Sequence, residues 1–270
     1  MNLKKAFIFA KNNNIDVKST RLILKFILKD RFNSYVPETE LSISDEKIFK
    51  RYIKKLKQGE TLQYITHEQY FYGQKFYVDE NVLIPQPDTE ILVNEALKII
   101  NNIDKNEIKV LDLCTGSGAI AISILNNTDK NVEMYASDIS RAALRVTYKN
   151  EKRVIGKHKI HLIESNMFEK IPEKFDVIVS NPPYIKTGVI RTLPKDVQNE
   201  PLIALDGGKE GLKYYKIIEA NFEDHLNKNG VILLEIGFDQ KEDVQKLFGE
   251  SICIKDFAGN DRVIIKKLNS

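Results

Sequence analysis

Val110-Leu111-Asp112-Leu113-Cys114-Thr115-Gly116-Ser117-Gly118-Ala119-Ile120-Ala121 reads as an apolar strand, a glycine turn and the first turns of a helix. Glycine reaches backbone conformations that a Cβ forbids, so this succession lets main chain approach a ligand closely. The same rhythm continues outward. Apolar runs at Val132 to Ala136, Ile160 to Ile163, Val177 to Val179 and Val231 to Leu234 alternate with segments of helical period. Such alternation builds a parallel sheet with helices on both faces. Ser251-Ile252-Cys253-Ile254-Lys255 and Arg262-Val263-Ile264-Ile265-Lys266 are joined only by a short segment with Gly259-Asn260. That is too short for a crossover helix, so the last strand should run antiparallel to its neighbour.

The glycine turn admits two ligands. Gly116-x-Gly118-x-x-Ala121 satisfies the loose dinucleotide fingerprint, and Asp138, at the end of the next strand, suits the two hydroxyls of a ribose. Asp112 shifts the balance, because a carboxylate just before the turn disfavours a pyrophosphate and suits a ligand bearing sulfonium and ammonium charges. S-adenosylmethionine carries both. The expected contacts on this side are Asp112, Cys114, Thr115, Gly116, Ser117, Gly118 and Asp138. Cys114 has no neighbouring base or second cysteine in the loop, so it is assigned backbone contact and no nucleophilic role.

Downstream, Phe175-Asp176-Val177-Ile178-Val179-Ser180 leads into Asn181-Pro182-Pro183-Tyr184. Two prolines fix φ and remove two backbone donors, so the carbonyls of Asn181 and Pro182 cannot join a continuing ladder. With the Asn181 side chain they offer acceptors for a planar N–H₂, and the Tyr184 ring can pack against the group that carries it. Chemistry on an amide or amino nitrogen is implied. The departing proton can leave after the transferred group arrives, so the motif itself need not carry a base.

Ahead of the glycine turn, apolar residues recur at helical spacing in Leu3 to Ala10, in Leu22 to Leu28 after Ser19-Thr20, and in Ile48 to Leu56 after Ser44-Asp45. A small helical bundle is expected over residues 1–69. Tyr70-Phe71-Tyr72 and Phe76-Tyr77-Val78 around Gly73 predict a bridging β-hairpin over 70–84, and 85–270 forms the ligand-binding domain. Asp88 is the expected N-cap of a helix running to Ile100, and Tyr184 to Gly211, without clear periodicity, reads as a long loop over the site.

With 270 residues and 42% apolar content, the chain can bury a large core, and a net charge of +3 does not argue for nucleic acid. Lys11-Asn12-Asn13-Asn14 interrupts the first apolar stretch after a few residues and no cleavage site follows, so it reads as an amphipathic helix rather than a signal. No run is long enough to span a bilayer. Two cysteines cannot make a disulfide framework, and His67, His158, His161 and His225 lack a metal-ligand pattern. A cytoplasmic protein without a metal or membrane partner is expected.

The motifs together resemble those of class I methyltransferases, and more narrowly the HemK/PrmC family, which methylates the glutamine side chain of peptide-chain release factors. The resemblance rests on Leu62-Gln63-Tyr64-Ile65 with Phe71-Tyr72-Gly73, Leu83 to Glu90, the Asp112 to Gly118 loop, Asn181 to Tyr184, Glu200-Pro201 with Ala204-Leu205, Glu235-Ile236-Gly237, and Gly259 with Asp261-Arg262. It implies an α/β fold with a Rossmann-like, mostly parallel sheet, S-adenosylmethionine as cofactor and S-adenosylhomocysteine as product. It also implies a monomer that takes the release factor's Gly-Gly-Gln glutamine as substrate without a direct nucleic-acid requirement. Asn181, Pro182 and Tyr184 are the implied catalytic residues. Asn181, Pro182, Pro183 and Tyr184 hold the substrate amide, and Asn166, Met167 and Asn181 complete the cofactor contacts. Five positions depart from the pattern: Gln86 and Gln198 stand where arginines are usual, His67 where glycine is, and Asn166-Met167 where an acidic-aromatic pair is. The same four-residue motif also serves exocyclic base amines, so a nucleic-acid methyltransferase is the enzymatic rival. A non-catalytic nucleotide-binding module is the other alternative.

Overall fold

Asn2, Asp16 and Ser42 each set a side-chain oxygen on the backbone N–H three residues ahead, and each starts a helix. These are α1 (Leu3–Asn12), α2 (Val17–Leu28) and α3 (Ile43–Lys57), followed by the short α4 (Leu62–Thr66). The cap of α2 is Asp16 and not Ser19-Thr20; the Thr20 hydroxyl instead donates back to the Asp16 carbonyl at 2.7 Å. Leu3, Ala6, Ala10, Ile23, Leu24, Leu28, Phe49 and Ile53 form the buried core of the helices. The computed structural model describes residues 1–34 and 36–268, and the chain divides into two units. The first holds residues 1–67 together with 194–199, the second the remainder. At the end of α4, His67 takes a left-handed conformation with φ +55°. Glycine adopts that conformation without a Cβ penalty, which accounts physically for the glycine usual at this position in the family it resembles.

In the second unit, β1 (Gln69–Phe71) and β2 (Gln74–Phe76) pair around Tyr72-Gly73, whose φ values of +49° and +71° suit a tight two-residue turn. The hairpin thus ends at Phe76 and does not extend to residue 84. Beyond it, the Tyr77 backbone is engaged by the Asn150 side chain, which accepts from its N–H at 2.6 Å and donates to its carbonyl at 2.9 Å. A 3₁₀ turn, Pro87–Thr89, precedes α5 (Glu90–Asn102). Asp88 is not its cap, because its carboxylate pairs with Arg262 at 3.2 Å.

Next come β3 (Ile108–Leu113), α6 (Ala119–Asn126), β4 (Val132–Asp138), α7 (Arg141–Val154), β5 (Ile160–Glu164) and β6 (Phe175–Ser180). The chain then passes α8 (Lys195–Gln198), which belongs to the first unit, α9 (Leu202–Leu205), α10 (Lys213–Glu219), β7 (Leu226–Glu235), α11 (Lys241–Phe248), β8 (Ile252–Lys255) and β9 (Asp261–Lys267). The sheet order is β5-β4-β3-β6-β7-β9-β8, parallel from β5 to β7, with β9 antiparallel to both its neighbours. Successive strand residues face opposite sides. Val110 packs with α5 and α6 residues such as Leu92, Ala96 and Ile120, while Leu111 packs with Tyr215, Ile218 and Val244 from α10 and α11.

The segment after Tyr184 is more ordered than a long loop. Ile185 bridges Asp206, a 3₁₀ turn covers Ile190–Thr192, and α9 follows. Each piece is too short to display a 3.6-residue period, which is why periodicity does not reveal it.

Candidate active site

The ends of β3, β4, β5 and β6 converge on one cleft of about 970 Å³, open at its mouth, within the second unit. The crevice beyond the carboxyl ends of parallel strands is where open α/β sheets bind ligands. Its wall carries Cys114, Thr115, Gly116, Ser117, Asp138, Asn166, Met167, Asn181 and Pro183 from the expected set. Asp112, Gly118, Pro182 and Tyr184 are not among the wall residues.

The glycine turn is shaped by three left-handed residues, Cys114 (φ +64°), Gly116 (φ +56°) and Gly118 (φ +79°). A Cβ on Gly116 would meet nothing within 4 Å, so the backbone there faces open space. One on Gly118 would lie 2.6 Å from the Thr147 methyl group and 3.3 Å from Thr147 Cα, so this glycine lets α7 pack against the turn. Asp112 is fully buried. Its Oδ2 accepts from the Thr115 hydroxyl at 2.7 Å and the Ala121 N–H at 3.1 Å, while Oδ1 has no partner. Burial pushes its pKa up to about 7, against the pull of those two donors. Asp138 accepts from the N–H groups of Gly116 at 3.0 Å and Ser140 at 2.8 Å, so it shapes the turn as well as facing the cleft; burial raises its pKa too. Burial pushes the Cys114 thiol far up, which leaves it inert as a nucleophile.

On the far wall, Met167 is held at φ +50° by the Ser165 hydroxyl, which donates to its carbonyl at 2.9 Å. The Asn166 amide nitrogen donates to Glu169 at 2.6 Å, which directs the amide nitrogen toward that neighbour. Asn181 follows β6, where the Ser180 hydroxyl ties the strand to the Leu113 carbonyl at 2.6 Å. Its Nδ2 donates to the Thr89 hydroxyl oxygen at 3.2 Å. Tyr184 donates its hydroxyl to Glu235 Oε1 at 3.3 Å, and its backbone carbonyl accepts from the Gln240 amide at 3.0 Å. Burial, with the Glu235 carboxyl next, raises the Tyr184 pKa well above the phenolic range.

Thr89, Glu235 and Gln240 form the support of the motif, each bonded to it from a distant part of the chain. Thr89 lies between Pro85 and Glu90, and Glu235 opens Glu235-Ile236-Gly237; both segments carry the resemblance without revealing what their side chains touch. Glu235 is 2% exposed, with Oε2 unpartnered, and burial raises its pKa to about 7 against the Thr89 hydroxyl, Arg262 and the Tyr184 hydroxyl. Among the described residues, no group of three or more His, Cys, Asp or Glu is placed to hold a metal ion, and no helix is long and apolar enough to cross a membrane.

Residues 91–195 match the methyltransferase small domain. A release factor glutamine methyltransferase of Thermodesulfovibrio yellowstonii is 37% identical over 260 residues, which cover 93% of this chain and 92% of the relative. One from Clostridium botulinum is 38% identical over 272 residues, covering 97% and 94%. The chain belongs to the release factor glutamine methyltransferase family. A methyltransferase from Pyrococcus furiosus, 18% identical, shares the fold with a TM-score of 0.53 over 74% of this chain and 91% of its own. Gln86 lies on the cleft wall and donates to the Ile84 carbonyl at 3.1 Å.

Proposed function

We propose that this protein transfers the methyl group of S-adenosylmethionine to the side-chain amide nitrogen of the Gly-Gly-Gln glutamine of peptide-chain release factors. The observation that carries the reading is that the glycine turn and Asn181 wall the same cleft. The residues fit the cofactor: a backbone cradle open at Gly116, a carboxylate at Asp138, and an unpartnered buried oxygen on Asp112 behind the turn. S-adenosylmethionine supplies an electrophilic methyl group on a sulfonium. Asp138 takes the ribose hydroxyls, and Asp112 supplies negative potential beneath the cationic tail. Cys114, Thr115, Gly116, Ser117 and Gly118 line the tail, and Asn166 and Met167 border the adenine.

A glutamine amide is a poor nucleophile because its lone pair is delocalised into the carbonyl. Asn181 Oδ1 and the Pro182 carbonyl accept its two hydrogens, which turns the lone pair toward the methyl group and favours the pyramidal nitrogen. Pro183 and Tyr184 confine the amide plane. No base is required before transfer. Asn181→Ala is expected to lower kcat by at least about a hundredfold, on the scale of a lost transition-state acceptor, with cofactor affinity nearly unchanged. Loss of both in parallel would remove the assigned role.

The test is transfer of labelled methyl from S-adenosylmethionine to release factor, to release factor with the motif glutamine replaced by glutamate, and to RNA and DNA. Label on the unmodified release factor alone is expected. Label on nucleic acid would establish the base-amine reading instead, and cofactor binding without transfer would establish a non-catalytic module.

A further inference from the structure

The strand order β5-β4-β3-β6 lays out the cleft wall in sequence. Asn181 follows β6, the glycine turn follows β3, Asp138 closes β4 and Asn166-Met167 follow β5. A nucleoside whose ribose meets Asp138 and whose reacting end meets Asn181 therefore turns its base toward Asn166. An asparagine amide is ambiguous toward a purine. Its oxygen end accepts from a 6-amino group, its N–H₂ end donates to a 6-oxo group, and a freely turning amide serves either.

The turn after β5 removes that freedom. Ser165, 3% exposed, donates its hydroxyl to the Met167 carbonyl at 2.9 Å and accepts from the Lys170 N–H at 3.0 Å, while its own N–H donates to the Asp138 carbonyl at 3.0 Å. The Glu169 N–H closes onto the Asn166 carbonyl at 3.2 Å, which brings these two residues together across the turn. Asn166 Nδ2 then donates to Glu169 Oε1 at 2.6 Å. A carboxylate only accepts, so the amide end facing Glu169 has to be the N–H₂ end, and the direction follows from the chemistry of the partner.

We infer that Glu169 is a positioning residue that holds Asn166 with Oδ1 toward the base, so that the cleft takes a purine bearing a 6-amino group and rejects its 6-oxo counterpart. The inference rests on the cofactor cleft of the proposed function. A 6-oxo purine would set its oxygen against Oδ1. Reversing the amide to suit it would break the bond to Glu169 and turn oxygen toward the carboxylate. The methyl donor and its demethylated product carry the same base, so one residue governs the choice for both.

The test is calorimetric titration of the full chain with S-adenosylhomocysteine and with S-inosylhomocysteine, which carries a 6-oxo group in place of the 6-amino group; no release factor is needed. The parent should bind the 6-amino ligand at least about tenfold more tightly, on the scale of a buried polar group left unpaired. Asn166 and Glu169 are both exposed, so exchanges there leave the buried core untouched. Glu169→Gln keeps the shape but presents both a donor and an acceptor, and should bring the two affinities within about threefold of each other. In the double variant Asn166→Asp/Glu169→Gln, the carboxylate at position 166 accepts at either end and should restore the parent's ratio, which a packing role for Glu169 would not produce. A parent that binds both ligands alike, a Glu169→Gln variant that keeps the ratio, or a double variant that does not restore it overturns the inference. A parent that discriminates between the ligands but methylates no release factor overturns the amide methylation alone. Binding of neither ligand overturns both.

Discussion

At the residue scale, two buried carboxyls, Asp112 and Glu235, keep their protons to about pH 7, against ordinary values of 3.8 and 4.5. Between those limits the unfolded chain has released protons that the folded chain still binds, so the ligand-free protein loses stability as pH rises from about 4 to 7. The contribution is fully present below the unfolded values. Asp112→Asn and Glu235→Gln should each flatten the dependence of the denaturation midpoint on pH across that window. Gly118→Ala is expected to cost about 2–4 kcal/mol in denaturant unfolding, combining the left-handed φ with a Cβ driven into Thr147. The glycine turn and Asn181 to Tyr184 were legible as a candidate site because each is a contiguous stretch of sequence. Thr89 was not, since it meets Asn181 across 92 residues of sequence and no local signal marks such a pairing.

At the element scale, α7 binds the parts of the site's surroundings together. Ser140 caps it, accepting from Ala143 N–H at 3.2 Å, and the buried Asn150 joins Tyr77 to the glycine turn by donating to the Ser117 carbonyl at 2.9 Å. Asn150→Ala should destabilise by about 2–4 kcal/mol, because it removes three hydrogen bonds to backbone groups. Asn150→Asp should cost more despite its shape, because a carboxylate cannot donate to the Tyr77 and Ser117 carbonyls; urea midpoints of both variants check the order. Strand positions were readable from apolar runs. The antiparallel turn into β9 was readable from loop length alone. The cap of α2, the end of the hairpin and the short helices after Tyr184 were not, since each is decided by side-chain contacts or by pieces shorter than a helical repeat.

At the scale of the whole molecule, charge is divided. Residues 1–67 carry fourteen Lys and Arg against seven Asp and Glu, whereas residues 68–270 carry 27 against 31. The overall excess is therefore a property of the first unit and was hidden in the net value of +3. Every residue on the cleft wall belongs to the second unit. A chain beginning at residue 68 should bind S-adenosylmethionine within a few-fold of the parent by calorimetry while losing kcat/KM toward release factor. Raising salt should lower kcat/KM of the parent more than that of the shortened chain.

The strand order also sets a sequence of events in time. The central pairing of β3 with β6 joins Val110 to Val177, and β9 must enter between β7 and β8, bringing Arg262 to Asp88. Closing such long loops is slow compared with winding helices. On dilution from denaturant, helical signal should return in advance of cofactor binding, and the protein should pass through a collapsed stage with an unfinished sheet edge. Early binding of S-adenosylmethionine is thus unavailable as a folding aid, and crowded refolding should lose chains to aggregation during that interval.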